Sequence, residues 1–159
     1  MLVVVALISI GLAVAGPLWS QRVRRDHERD LLRVGALYAQ ALADYRDQSP
    51  GSDKRYPMTL AQLLNDDRSI RATRYLRRLY PDPVAPASEW GLIRDDHGAI
   101  QGVFSQNNDA PIAEGPLVVG ALTLPPAARY GDWHFIAPPA TASAPALSSP
   151  PAAATSLIR

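Results

Sequence analysis

Residues Leu2 to Trp19 form an unbroken run with no ionisable side chain and one hydroxyl, Ser9, and they lead directly into a charged stretch. Eighteen such residues can satisfy their backbone polar groups away from water only by turning inward as a helix. As a helix the run spans about 27 Å, slightly short of a hydrocarbon core of roughly 30 Å. With Trp19 as an interfacial aromatic, residues 1–19 are expected to be a transmembrane stem, with Leu2, Leu7, Gly11, Ala15 and Trp19 as its membrane and helix-packing positions. Gly11 and Ala15, four apart, would let a second helix approach closely. Two features compete with this reading. Ala13-Val14-Ala15 has the small-x-small form of a signal-peptidase site, which implies a secreted protein cleaved after Ala15, although no basic segment precedes the run. Arg22, Arg24, Arg25 and Arg29 all follow the run, where the positive-inside rule would hold them in the cytoplasm.

Nothing interrupts the helical pattern before Asp47, so residues 20–48 are expected to continue the same helix. From Ser20 to Asp30 only Val23 is apolar, and charge pairs must support this part. Helical spacing offers Arg22 with Asp26, Arg24 with Glu28, Asp26 with Arg29 and Asp30 with Arg33, each worth a few tenths of a kcal/mol. Beyond it, Leu31, Val34, Tyr38, Ala41 and Tyr45 recur at spacings of three and four, with Leu42 beside them. That stripe lasts about two heptads and is read as the packing face for the chain's own sheet. Ser49-Pro50-Gly51 then ends the helix.

The remaining elements are short. Thr59 with Gln62 has the form of a capping box, and Met58 is expected to reach Leu63 as a hydrophobic staple. Arg68, Arg71, Arg74, Arg77 and Arg78 recur near period three, an arrangement that suits either a solvated face or an acidic partner. Tyr80-Pro81-Asp82-Pro83 must turn a rigid corner, since neither proline donates a hydrogen bond and each restricts the residue before it. Residues 89–94 and 99–104 flank Asp95-Asp96-His97-Gly98 and predict a β-hairpin. A third strand is expected at 132–136, where Trp133 and Phe135 share a face. Leu117-Val118-Val119 and Leu122 fit either a short extra strand or an apolar flap. The expected fold is α+β, a long N-terminal helix packed on a small three-stranded antiparallel sheet. Its domain occupies residues 49–137, followed by a disordered Pro/Ala/Ser-rich tail at 138–159.

Charge and composition exclude several functions. Sixteen Lys and Arg against fifteen Asp and Glu give a net charge of +1, so no global field draws the chain to nucleic acid. Without cysteine there is no disulfide, thiolate nucleophile or thiolate metal site. His27, His97 and His134 are dispersed, and Asp95-Asp96 is better explained as turn chemistry than as a catalytic pair. No enzyme activity, cofactor or metal is expected. A calcium site needs six to eight oxygens, and Asp109 and Glu114 are the only carboxylates in the 107–131 connection, so calcium is unsupported.

Several runs carry a resemblance. These are Gly16-Pro17-Leu18-Trp19-Ser20, Arg55-Tyr56-Pro57-Met58-Thr59-Leu60, Tyr75-Leu76-Arg77-Arg78-Leu79-Tyr80-Pro81-Asp82-Pro83 and Glu89-Trp90-Gly91-Leu92, with Gly102-Val103-Phe104-Ser105 and Tyr130 to Phe135 in the same order. Over residues 2–137 the chain resembles the type II secretion pseudopilins and type IV pilins, in the branch near the major pseudopilin. Tyr56, Pro57, Leu79, Pro81, Asp82, Pro83, Trp90 and Gly91 are the motif positions. The resemblance implies a pilin-like fold and a structural subunit of a secretion or pilus-like filament. It also implies an inner-membrane protein with a single pass and a periplasmic C-terminal domain. Its partners would be other pseudopilins and the secretion platform proteins. The family's prepilin peptidase motif has no counterpart here and by alignment would lie before Met1. A membrane-anchored binding module using the Arg68 to Arg78 face is the alternative.

Overall fold

The computed structural model describes the backbone of residues 2–51, 54–68 and 72–140, and side chains from Gln21 onward. One helix, α1 (Leu2–Asp47), runs through both sequence regimes without a break. At 1.5 Å per residue it is about 69 Å long. Its end is secured by cations, as the negative pole of a helix favours. Lys54 Nζ donates to the carbonyls of Asp47 at 2.8 Å and Ser49 at 3.2 Å, and Arg68 donates to that of Tyr45 at 2.9 Å.

The stripe behaves as its spacing predicts. Leu31, Val34, Tyr38, Ala41, Leu42 and Tyr45 are all buried, and they pack against an antiparallel sheet. That sheet has the order β1 (Gly91–Arg94), β2 (Ile100–Phe104), then a last strand at His134–Ile136. The hairpin forms across residues 95–99, where the Asp95 carboxylate accepts from the amides of His97 and Ala99, both at 2.9 Å, and Gly98 takes a φ of +80°. Turn chemistry therefore accounts for Asp95. Trp133 and Phe135 are completely buried.

Between the hairpin and the last strand, the segment that fits strand or flap is a two-stranded ribbon, β3 (Leu117–Val119) with β4 (Leu122–Leu124). The last strand, His134–Ile136, is accordingly β5. Strands this short span too few alternations for a period to be read.

Two expectations are corrected. The single-pass inner-membrane placement, with Leu2 to Trp19 as stem and a periplasmic C-terminal domain, is overturned: among the described residues no helix is long and apolar enough to cross a membrane. Beyond Ser20, α1 exposes Arg22, Arg24, Arg25, Asp26, Arg29 and Asp30, and such a surface cannot enter hydrocarbon. The Met58 staple is not made, since Met58 is 52% exposed while Leu63 is buried. The capping box of Thr59 with Gln62 is present, the Gln62 Oε1 accepting from the amides of Met58 and Thr59 at 2.7 and 3.3 Å. The element it starts is a single 3₁₀ turn, Leu60–Leu63. The tail beyond Ala140 lies outside the described residues, as do the side chains of Leu2, Leu7, Gly11, Ala15 and Trp19.

Candidate assembly interface

The site with most to say about function is α1, because one helix is both core element and protruding arm. Its fixed half is held by contacts that need specific residues. Gly35 faces the ring of Phe135 so closely that a Cβ there would lie 2.5 Å from ring carbons. Tyr38 inserts its hydroxyl between backbone groups of Tyr80, accepting from the amide at 2.9 Å and donating to the carbonyl at 3.0 Å. The same carbonyl accepts from the Trp90 indole at 2.8 Å, and the Tyr38 and Trp90 rings lie 5.4 Å apart. Burial raises the Tyr38 phenol above its ordinary value.

The motif positions converge here. Pro57 is fully buried, and its carbonyl accepts from the amide of Ile100 at 2.7 Å, pinning the start of β2. Tyr56 receives a hydrogen bond from Arg46 at 2.8 Å. Asp82 is fully buried in the proline corner, where its carboxylate accepts from the Ser105 hydroxyl and, at 2.9 Å, from the Val84 amide. Trp90 and Gly91 are buried, and Gly91 leaves room for the ring of Phe104, which a Cβ would meet at 2.3 Å. Pro83 is half-buried, whereas Leu79 and Pro81 are exposed. Most of these residues build the platform that holds α1, and Leu79 does not.

One residue that local spacing misassigns is Glu28. Instead of pairing with Arg24 it is buried, 7% exposed, and its carboxylate accepts from the amides of Ile112 at 2.7 Å and Ala113 at 3.1 Å. The Tyr130 hydroxyl donates to it at 2.9 Å. Burial first, then this hydrogen bond, pushes the Tyr130 phenol up to about 12. Arg24 turns to the carbonyl of Ala110 at 3.2 Å. Together they clamp the segment after Asp109 against α1 at the point where the helix leaves the domain. Of the spacing-derived pairs, Asp26 with Arg29 and Asp30 with Arg33 form, each at 3.2 Å and well exposed.

Arg68 is likewise internal. It makes a forked contact with the buried Asp66 carboxylate at 2.7 and 2.8 Å, donates to the Ser49 hydroxyl at 2.8 Å and stacks on the Tyr45 ring. That hydrogen bonding holds the Asp66 carboxyl below the usual carboxylate range. Tyr75, half-buried and donating to Asp66, is pushed up to about 12 by burial and by that hydrogen bond. Arg68 thus leaves the expected arginine face, Arg71 lies outside the described residues, and Arg74, Arg77 and Arg78 remain exposed.

The protruding half is different. From Gln21 to His27 every residue is exposed, and Arg24 reaches the domain through its hydrogen bond to Ala110. Helix geometry carries Leu2 about 33 Å beyond that point. Along the other flank of α1, Leu32, Ala36 and Leu37 form with the β3–β4 turn a groove of about 400 Å³. Among the described residues no group of His, Asp and Glu is placed to hold a metal ion. These features define an α+β chain in which one helix is packed on a small antiparallel sheet and extends past it. No protein-family model, curated protein or solved structure matches the chain.

Proposed function

We propose that this chain is a pseudopilin-like structural subunit that assembles with copies of itself or related subunits through the N-terminal half of α1. The observation that carries the reading is one 46-residue helix whose C-terminal half packs on the chain's own sheet and whose N-terminal half is apolar in sequence. The packed half is buried by the chain's own sheet, and the same helix continues toward the N-terminus through the apolar sequence from Leu2 to Trp19. An apolar helix about 27 Å long in water exposes far more contiguous apolar surface than monomeric proteins carry. Equivalent helices from neighbouring subunits would cover it, and Gly11 and Ala15 would permit close approach. The resemblance to pseudopilins supports this, since the motif residue Trp90 packs on Tyr38 of α1 while Pro57, Asp82 and Gly91 hold together the sheet and corner beneath it. Platform proteins of a secretion machinery are the further partners this role implies.

The natural absence of cysteine makes the test clean. A chain carrying Gly11→Cys and Ala15→Cys, produced together with a type II secretion machinery and mildly oxidised, should give a ladder of disulfide-linked multimers. A cysteine at the exposed Val118 should give none. Monomers alone from the Gly11 and Ala15 variant would overturn the assignment.

A further inference from the structure

The groove on the flank of α1 lies where the chain leaves its last strand. Its helical wall extends from Arg29 to Gln40, about 17 Å of helix, and the β3–β4 turn at Gly120 and Ala121 closes the other side. Leu32, Ala36, Leu37 and Leu122 make its walls apolar, and Leu37 is 39% exposed. The two charged residues of the lining are already compensated, Arg29 by Asp26 and Arg33 by Asp30, each at 3.2 Å. Apolar contact, and not charge, therefore selects what fits here.

The path of the chain brings such an occupant to this place. After β5 the amide of Ala137 donates to the carbonyl of Gln101 at 2.9 Å, and the carbonyl of Pro138 accepts from the buried Arg46 at 2.7 Å. These bonds fix the backbone against the last turns of α1, and Pro138 itself lines the groove. The sequence that follows Ala140 has no charge before Arg159, and its first large apolar residue is Leu147, preceded by Ala, Ser, Thr and Pro alone. The stretch from Ala140 to Leu147 reaches at most about 25 Å, more than the length of the groove. Tethering over so few residues presents Leu147 to the groove at an effective concentration on the order of millimolar, which a second copy in dilute solution does not match.

We propose that the groove is the docking site for residues 141–149 of the same chain, with the Leu147 side chain placed among Ala36, Leu37 and Ala121. The small residues ahead of Leu147 suit a segment that crosses a shallow cleft, and Leu147 alone in this segment is large enough to fill it. Docking covers the exposed Leu37 flank of the domain. It engages no residue of the N-terminal run, so this site stands or falls separately from assembly through α1.

Because the chain has no cysteine, two introduced thiols report the contact. In the full chain, Ala121→Cys on the exposed turn and Ser149→Cys beside Leu147 should form a disulfide within one chain under mild oxidation, read by mass spectrometry of the proteolysed monomer. Adding Leu147→Asp should slow that disulfide at least about fivefold, because the tether is unchanged and only the apolar contact is lost. Leu37→Asp, which puts the charge on the groove wall instead, should slow it comparably. Leu157→Asp with Ile158→Asp should leave the rate unchanged. A rate indifferent to both the Leu147 and Leu37 changes overturns the proposal, as does slowing by the Leu157 and Ile158 changes alone. Chains carrying one cysteine each, oxidised as a mixture, test the other occupant. Cross-linked dimers that form there as fast as the internal disulfide would overturn the proposal in favour of a second copy.

Discussion

Glu28 shows how one side chain can decide the conformation of a distant segment. Its two carboxylate oxygens are divided, Oε2 accepting from Ile112 and Tyr130 and Oε1 from Ala113. An amide cannot copy this, because one of its two heads is a donor. In Glu28→Gln the NH2 group must confront a backbone N–H, most readily that of Ala113, at a cost of about 1–3 kcal/mol for the unsatisfied donor. The amides of Ile112 and Ala113 should therefore exchange with solvent deuterium faster in the variant, with the amides of β2 unchanged. Unaltered exchange at both would mean that the carboxylate is not the clamp. The same contact fixes an alkaline dependence. Tyr130 ionises at about 12 when folded against 10.0 ordinarily, so its contribution to stability is complete below pH 10 and is lost as pH rises through 12. In Glu28→Gln that loss should be smaller, measured by denaturant unfolding at successive alkaline pH values. Nothing in the local sequence exposes this role. The i,i+4 rule offers Arg24 as the partner, whereas the donors that Glu28 meets lie 84 to 102 residues away. Arg68 escaped recognition similarly, since a period-three arginine run reads as a surface until Asp66, Ser49 and Tyr45 are seen around one member.

At the level of elements, α1 meets the sheet through a position where propensity and packing conflict. Glycine inside a helix is about 1 kcal/mol worse than alanine, so Gly35→Ala should stabilise α1 taken alone. Against that, the new Cβ would lie 2.5 Å from the Phe135 ring, and a ring held within a close-packed core has little room to withdraw. Overpacking typically costs about 1–3 kcal/mol. The expected sum is a net destabilisation of about 1 kcal/mol, measured by urea unfolding. In a Phe135→Leu background the same change should become neutral or favourable, because the ring that opposes it is gone. A stabilising Gly35→Ala in the natural chain would show that the helix and sheet are free to shift apart. The stripe from Leu31 to Tyr45 was legible because a buried helix face must repeat every 3.6 residues. Gly35 was not, since an absent side chain leaves no mark on that period. The β1–β2 hairpin was legible from its Asp and Gly turn, and β5 from the alternation of Trp133 and Phe135. The three-residue strands of the β3–β4 ribbon carried too little pattern to choose strand over flap.

For the whole molecule the question is whether fold and assembly use separable parts of α1. Among the described side chains of the helix the buried ones begin at Glu28, and the seven positions before it, 21–27, are all exposed. A chain lacking residues 1–20 keeps Arg24 on Ala110, the Glu28 clamp and the entire core. Its unfolding free energy should match the full domain's within about 0.5 kcal/mol, the usual effect of changes that touch no buried group. Self-association should vanish, because the sequence left at the N-terminus is charged and has no apolar face. Analytical ultracentrifugation of the shortened chain checks the second expectation, and denaturant unfolding checks the first. The two outcomes are logically independent. A shortened chain that still multimerises would place the assembly surface on the domain, with the Leu37 flank as the first region to mutate. A shortened chain that loses stability would mean that residues 1–20 contribute to the fold itself. Only the combination of intact stability with lost association fits a helix whose two halves serve two different neighbours, its own sheet and another subunit.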